Sequence, residues 1–185
     1  MAVPLETTIS RTGVQQSDLV KFLENVRDLV NDIVTNLQAT VMVTKPKLAI
    51  GSTTTAVSNQ AFAFSIAGVQ YIKAAVATGT APGNDVIPQS TFGAVAFDIG
   101  ADLTIDAVEA ADNSTGYASA ALAIAGIPAV AASHVRMGTV TATKSDGTFT
   151  FGTTALNAAN STVVYTDADT QAAAIDSTAL TLNKG

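Results

Sequence analysis

The chain has 185 residues, a net charge of −6 and a sequence pI near 4.4. Its nine Lys and Arg residues are scattered, which argues against a basic phosphate-binding face. The absence of Cys excludes disulfides, thiol nucleophiles and thiolate metal sites. Hydrophobic residues make up 48% and charged residues 13%, so the chain is not an acidic disordered one. Aromatics are only 5% and Trp is missing, so the apolar fraction rests on Ala and Val, and a core of small residues requires closely packed layers.

The opening "MAVPLETTISRTG" has no basic region followed by an apolar run, so no signal peptide is expected, and residues 1–16 read as an extended arm. Residues 17–38, "SDLVKFLENVRDLVNDIVTNLQ", predict the one long helix, with Ser17 as N-cap and Asp18 at the positive end of the helix dipole. Leu19, Leu23, Val26, Val30, Ile33 and Leu37 recur at spacings of 4, 3, 4, 3 and 4, a heptad pattern. Phe22 and Leu29 widen this stripe on one flank, and Val20 and Val34 widen it on the other. The opposite face carries Glu24, Asn25, Asp28, Asn31, Asp32 and Thr35. Such a helix either ties copies of the chain together or packs on its own β domain. A stripe this wide suits three or more strands better than two.

Residues 39–60 read as a strand followed by a linker, with Pro46 as an interruption and Gly51 in a flexible joint. The β body is expected over 61–167. Its first hairpin alternates Phe62, Phe64 and Ile66, turns at Ala67-Gly68 and returns through Val69, Tyr71 and Lys73, which sets Phe64 across from Tyr71. A second hairpin puts Val95, Phe97 and Ile99 on one face, turns at Gly100-Ala101-Asp102, and brings Leu103 and Ile105 back to that face. A short helix is expected near Ala118–Ala125, closed by Gly126 and Pro128. The uncharged run Asn113–Ser133 is too rich in Ala, Ser and Gly to span a membrane. "HVRMGTVTATKSDGTFTFG" predicts a third hairpin turning at Ser145-Asp146-Gly147, "NSTVVYTDAD" one more strand, and 168–185 a polar tail. The fold class is therefore mainly β: an N-terminal amphipathic helix, then a sandwich or barrel-like body with one short helix.

Catalytic signals are sparse. The single histidine, His134, reads as a strand-end or interface residue and not as a ligand or base. Asp98, Asp102, Asp106, Glu109 and Asp112 lack the spacing of a calcium loop and read as solvated edge and turn carboxylates, with Asp98 and Asp106 on the non-core face of their hairpin. No GxxxxGK[ST] or GxGxxG loop occurs. No catalytic, metal or cofactor residue is assigned, and neither nucleic acid nor membrane is expected as a partner.

The stretch Ala61–Asp167 resembles the small virion surface proteins of tailed bacteriophages, the head decoration, cement and head-fibre proteins. The resemblance is carried by "GVQYIKAA", "VIPQSTFGA", "FDIGAD", "TIDAVEA", "STGYASAA", "GIPA" and "HVRMGTVT". One departure is Leu103, where the resemblance leads one to expect Gly, and it implies an altered turn. The resemblance implies a non-enzymatic homotrimer on the outer surface of the capsid, with the phage major capsid protein as partner. The residues implied for oligomerisation or capsid anchoring are Leu19, Leu23, Val26, Val30, Ile33 and Leu37. The alternative is a tail-associated fibre or adhesin that binds a host-surface receptor, against which the lack of Trp and the presence of only three Tyr count.

Overall fold

A computed structural model describes residues 16–37 and 39–170, with side chains described for 17–31 and 39–170. The expected arm lies outside the described residues, apart from Gln16. The chain divides into two compact units, one containing helix α1 (Gln16–Leu37) and the other spanning Ala39–Ala172. Asp18 keeps its place in the first turn of the helix, beside its N-terminal end.

The second unit is built on antiparallel strands. Sheet one is β1 (Val41–Met42), β4 (Phe62–Ile66) and β5 (Val69–Lys73), in that order. Sheet two runs β12 (Ser161–Asp167), β10 (His134–Lys144), β8 (Gly93–Gly100) and β9 (Ile105–Glu109). Sheet three pairs β11 (Phe149–Thr150) with β7 (Val86–Ile87), and sheet four is β2 (Ala49–Ile50), β3 (Val57–Asn59) and β6 (Val76–Thr80). One apolar cluster joins all four sheets through Met42, Val57, Phe64, Ile87, Val95, Phe97, Ile99, Val140 and Phe149. This is the sandwich-like β body that the alternating pattern predicts.

The first hairpin forms as expected. Ala67 (φ 49°) and Gly68 (φ 82°) both take positive φ, the conformation of a two-residue turn whose twist matches its strands. Phe64 and Tyr71 are register partners, and their rings stack with centroids 5.3 Å apart. The second hairpin also holds, and Leu103 sits at the left-handed position of its turn with φ 65°. Leu103 and Ile105 pack on the main cluster.

Sheet two is covered on both sides, so all eight residues of β8 are buried. Val95, Phe97 and Ile99 face the main core. Ala94 and Ala96 face the other way, under the second helix α2 (Ala120–Ala125), which inserts Ala123 above them, with Ile127 beside it. Ser119 caps α2 by accepting from the Leu122 amide, and Gly126 closes it as expected. The buried Asn113 side chain completes this layer by pairing with both the N–H and the C=O of Ala94, each at 2.9 Å.

Three expectations are corrected. Residues 39–60 contain the expected strand, β1, but no linker follows it: Leu48 and Val57 are buried with Met42 in the main core, and Gly51 lies in a tight turn where a Cβ would meet the Thr78 carbonyl oxygen at 2.7 Å. The third hairpin does not form. Phe149 and Phe151 are fully buried, edge to face at 5.4 Å, and their segment leaves β10 to pair with β7. The free side of β10 is taken by β12 after the excursion of residues 145–160, closed at its base by the Ser145 amide donating to the Asn160 carbonyl. Ala168 is not tail: its amide donates to the Met137 carbonyl and its side chain packs on the core, while the expected tail from residue 171 onward lies outside the described residues.

Candidate functional site

The heptad stripe of α1 is the first candidate. Leu19 (40% exposed), Leu23 (56%) and Val30 (50%) present apolar side chains to solvent, and Val20 flanks them, also exposed. Phe22, Val26 and Leu29 are half-buried. The backbone of α1 includes Ile33 and Leu37, whose side chains lie outside the described ones. The polar side carries an exposed Arg27–Asp28 ion pair at 3.0 Å. Two layers follow from the spacing: Leu23, Val30 and Leu37 in one, Leu19, Val26 and Ile33 in the other. Taking the first layer as position a and the second as d gives mostly Leu at a and mostly β-branched residues at d, a combination that favours more than two strands.

The second candidate is a row of charges across sheet two. Asp98 on β8 is the register partner of Arg136 on β10 and of Asp106 on β9. The Arg136 guanidinium donates to both Asp98 oxygens, at 2.9 and 3.1 Å, and Nη2 also donates to the Pro128 carbonyl at 2.8 Å. The Asp98 side chain is only 5% exposed. This corrects the expectation of a solvated carboxylate: the far face of the hairpin is roofed by α2 and the loop after it, so a carboxylate there needs a cation.

The other acids take separate parts. Asp102 accepts from the Thr104 amide in the turn, and that hydrogen bond holds its carboxyl below the usual range. Glu109 Oε1 accepts from the Asn84 and Asp85 amides and fastens their loop. Asp106 lies 3.3 Å from His134 Nε2, and the Ser133 hydroxyl lies 3.0 Å from Nδ1. This Ser–His–Asp chain runs along the exposed end of β10. Its carboxylate is 56% exposed, so solvent screens its pull on the imidazole. Its visible effect is to orient the ring at the start of the strand, the position expected of His134. Among the described residues, no three His, Asp or Glu side chains converge as metal ligands.

An open groove of about 590 Å³ lies beside this row, with Val41, Met42, Val130, Ala131, His134 and Arg136 among its lining. The groove was not anticipated from the sequence. The uncharged run Asn113–Ser133, which supplies Val130 and Ala131, is the one sequence feature that touches it. No described helix is long and apolar enough to cross a membrane.

No family model, curated protein or solved structure matches the chain.

Proposed function

We propose that the chain is a non-enzymatic structural protein of a tailed-phage virion, which decorates or cements the outer surface of the capsid as a homotrimer joined through α1. The observation that carries this reading is the exposure of Leu19, Leu23 and Val30 on the heptad stripe of α1, next in sequence to a β body with a core of its own. Such a stripe is an apolar surface waiting for partners of the same pattern, and its a and d residues favour more than two strands. The resemblance of "GVQYIKAA", "FDIGAD" and "HVRMGTVT" to phage head-surface proteins supports a shell as the platform. A trimer suits such a platform, because capsid lattices offer local threefold sites and closed symmetric oligomers are the general rule. A trimer gripping several capsomers would resist their separation by burying surface across the boundaries between them.

The test is cosedimentation of the full chain with assembled shells and, separately, with unassembled major capsid protein. Binding to the lattice alone is expected. Equal binding to both, or to neither, refutes the decoration reading. Val26→Asp combined with Val30→Asp is expected to abolish the trimer while the β body stays folded. Unchanged mass in light scattering for that variant would sink the coiled-coil argument.

A further inference from the structure

We propose that β12 is a self-pairing edge: Ser161–Asp167 of one copy adds antiparallel to the same strand of a second copy, across a two-fold axis centred on Val164. The pairing stands without the coil of α1.

Of the two outer strands of sheet two, one is guarded and the other is open. β9 carries Asp106 and Glu109, and Glu109 fastens the Asn84–Asp85 loop. β12 has none of the devices that blunt an edge. Its seven residues, STVVYTD, include no Pro, Gly or Lys, and they pair with β10 without a bulge from Ser161 to Asp167. Its one charge, Asp167, accepts from the Leu48 amide at 2.9 Å. Val163 and Tyr165 pack on the main core yet stay partly exposed, so the core is open along this flank.

The ladder shows which backbone groups face away from the sheet. The Ser145 amide donates to the Asn160 carbonyl at one end, and the Ala168 amide donates to the Met137 carbonyl at the other. Alternation between those two bonds turns the N–H and C=O of Thr162, Val164 and Thr166 toward β10, and those of Val163 and Tyr165 outward. A row of outward donors and acceptors is a template for another strand.

The sequence of β12 identifies that strand as its own copy. Laid antiparallel on itself about Val164, Val163 meets Tyr165, Thr162 meets Thr166, Ser161 meets Asp167, and Val164 meets Val164. Val163 and Tyr165 then form the hydrogen-bonded pair, as their outward groups require. Aromatic with β-branched and Thr with Thr are favourable cross-strand pairs. Val164, 50% exposed, buries against itself. Asp167 falls opposite Ser161, so two acidic chains bring no carboxylates face to face. The contact is isologous and closes at two copies; combined with a threefold coil, it would link trimers to one another.

The Cys-free chain allows a test by single cysteines. Val164 meets itself at a non-hydrogen-bonded position, where Cα atoms lie about 4.5 Å apart, within disulfide range. Thr162 is also exposed, but it meets Thr166 and not itself. Full-length Val164→Cys is expected to oxidise to a covalent dimer at least about tenfold faster than Thr162→Cys, because pairing raises the local thiol concentration. The same ratio is expected when Val26→Asp and Val30→Asp are also present, so a failed coil leaves this result intact. Equal rates overturn the proposal, and so does an advantage that vanishes with the two α1 changes. Val164→Lys, shown to be folded by near-ultraviolet circular dichroism, is expected to sediment as a smaller species than the parent. Parent-like sedimentation of that variant overturns the self-pairing, and its loss of shell binding alone assigns the edge to the capsid instead.

Discussion

Arg136→Met is the perturbation whose outcome the structure constrains most tightly. The substitution keeps the aliphatic stem and removes the guanidinium, leaving Asp98 ionised in a position where its side chain is 5% exposed. Breaking a buried pair from one side costs about 3–5 kcal/mol, because the remaining charge is left uncompensated. The Arg136 side chain keeps 26% of its surface in solvent, so water reaches the vacated space and the lower end applies, about 3 kcal/mol. Asp98→Asn is expected to cost less, about 1–2 kcal/mol, because the cation left behind is the more exposed partner. The double variant is expected to fall short of the sum of the two by about 1–2 kcal/mol, since the groups interact directly. Urea unfolding followed by near-ultraviolet circular dichroism isolates the β body, which contains all three tyrosines, Tyr71, Tyr117 and Tyr165. At a denaturant slope of about 2 kcal/mol per molar, the Arg136→Met midpoint moves down by about 1.5 M. A midpoint within about 0.3 M of the parent, or a larger loss for Asp98→Asn than for Arg136→Met, would show that Asp98 is hydrated and the pairing argument wrong.

Ala67→Asn should stabilise the β body by about 0.5–1 kcal/mol, because Ala67 holds φ 49° on an exposed turn where Asn accepts that conformation more readily; an unchanged or lower urea midpoint counts against the turn assignment. The Tyr165 hydroxyl has no hydrogen-bond partner among the described residues, so Tyr165→Phe should hold or raise stability by up to about 1 kcal/mol, whereas a loss would reveal a partner. Burial also pushes the Tyr165 phenol upward, so its share of stability is complete below the ordinary tyrosine range and is lost as pH rises through the raised value; ultraviolet titration should find a tyrosine that ionises above the ordinary range and is missing from Tyr165→Phe. Asp146 is held below the ordinary carboxyl range by the Lys144 and Asn160 side chains. That linkage is present above the unfolded value of 3.8 and is lost as pH falls through the lower folded one. Amides of residues 145–160 should therefore exchange faster below pH 4 relative to those of β8, and Asp146→Asn should remove the pH dependence.

Local periodicity made the hairpins legible. Phe62, Phe64 and Ile66 against Val69, Tyr71 and Lys73 fix a register that only a two-residue turn satisfies, and Val95, Phe97 and Ile99 do the same for β8. What stayed hidden depends on the far side of a sheet. Val95–Ile99 alternates with Ala94, Ala96 and Asp98, a pattern that looks half-solvated because its second face is made of small residues. Only the tertiary placement of α2 shows that face to be covered, and with it the need of Asp98 for Arg136. The same limit hid the partner of β10. A turn at Ser145-Asp146-Gly147 satisfies local rules, but Phe149 and Phe151 gain more from the core beside Ile87 than from an edge strand.

One further signal in β10 shows how such limits narrow. Val135 and Met137 share one parity, while Val140 and Ala142 share the other, although all four are buried in the main core. A period-two strand cannot hold both sets on one face without an extra residue between them. The structure places a bulge there: Arg136 pairs with Asp98, Gly138 pairs with Phe97, and Met137 is the inserted residue. Gly138 is required at that point because a Cβ would lie 2.4 Å from the Thr166 carbonyl oxygen. The bulge keeps Arg136 on the face of Asp98 and Pro128 while Val140 and Ala142 line the main core. Moving that extra residue along β10 would put either Arg136 into the main core or Val140 on the far face of the sheet, away from that core.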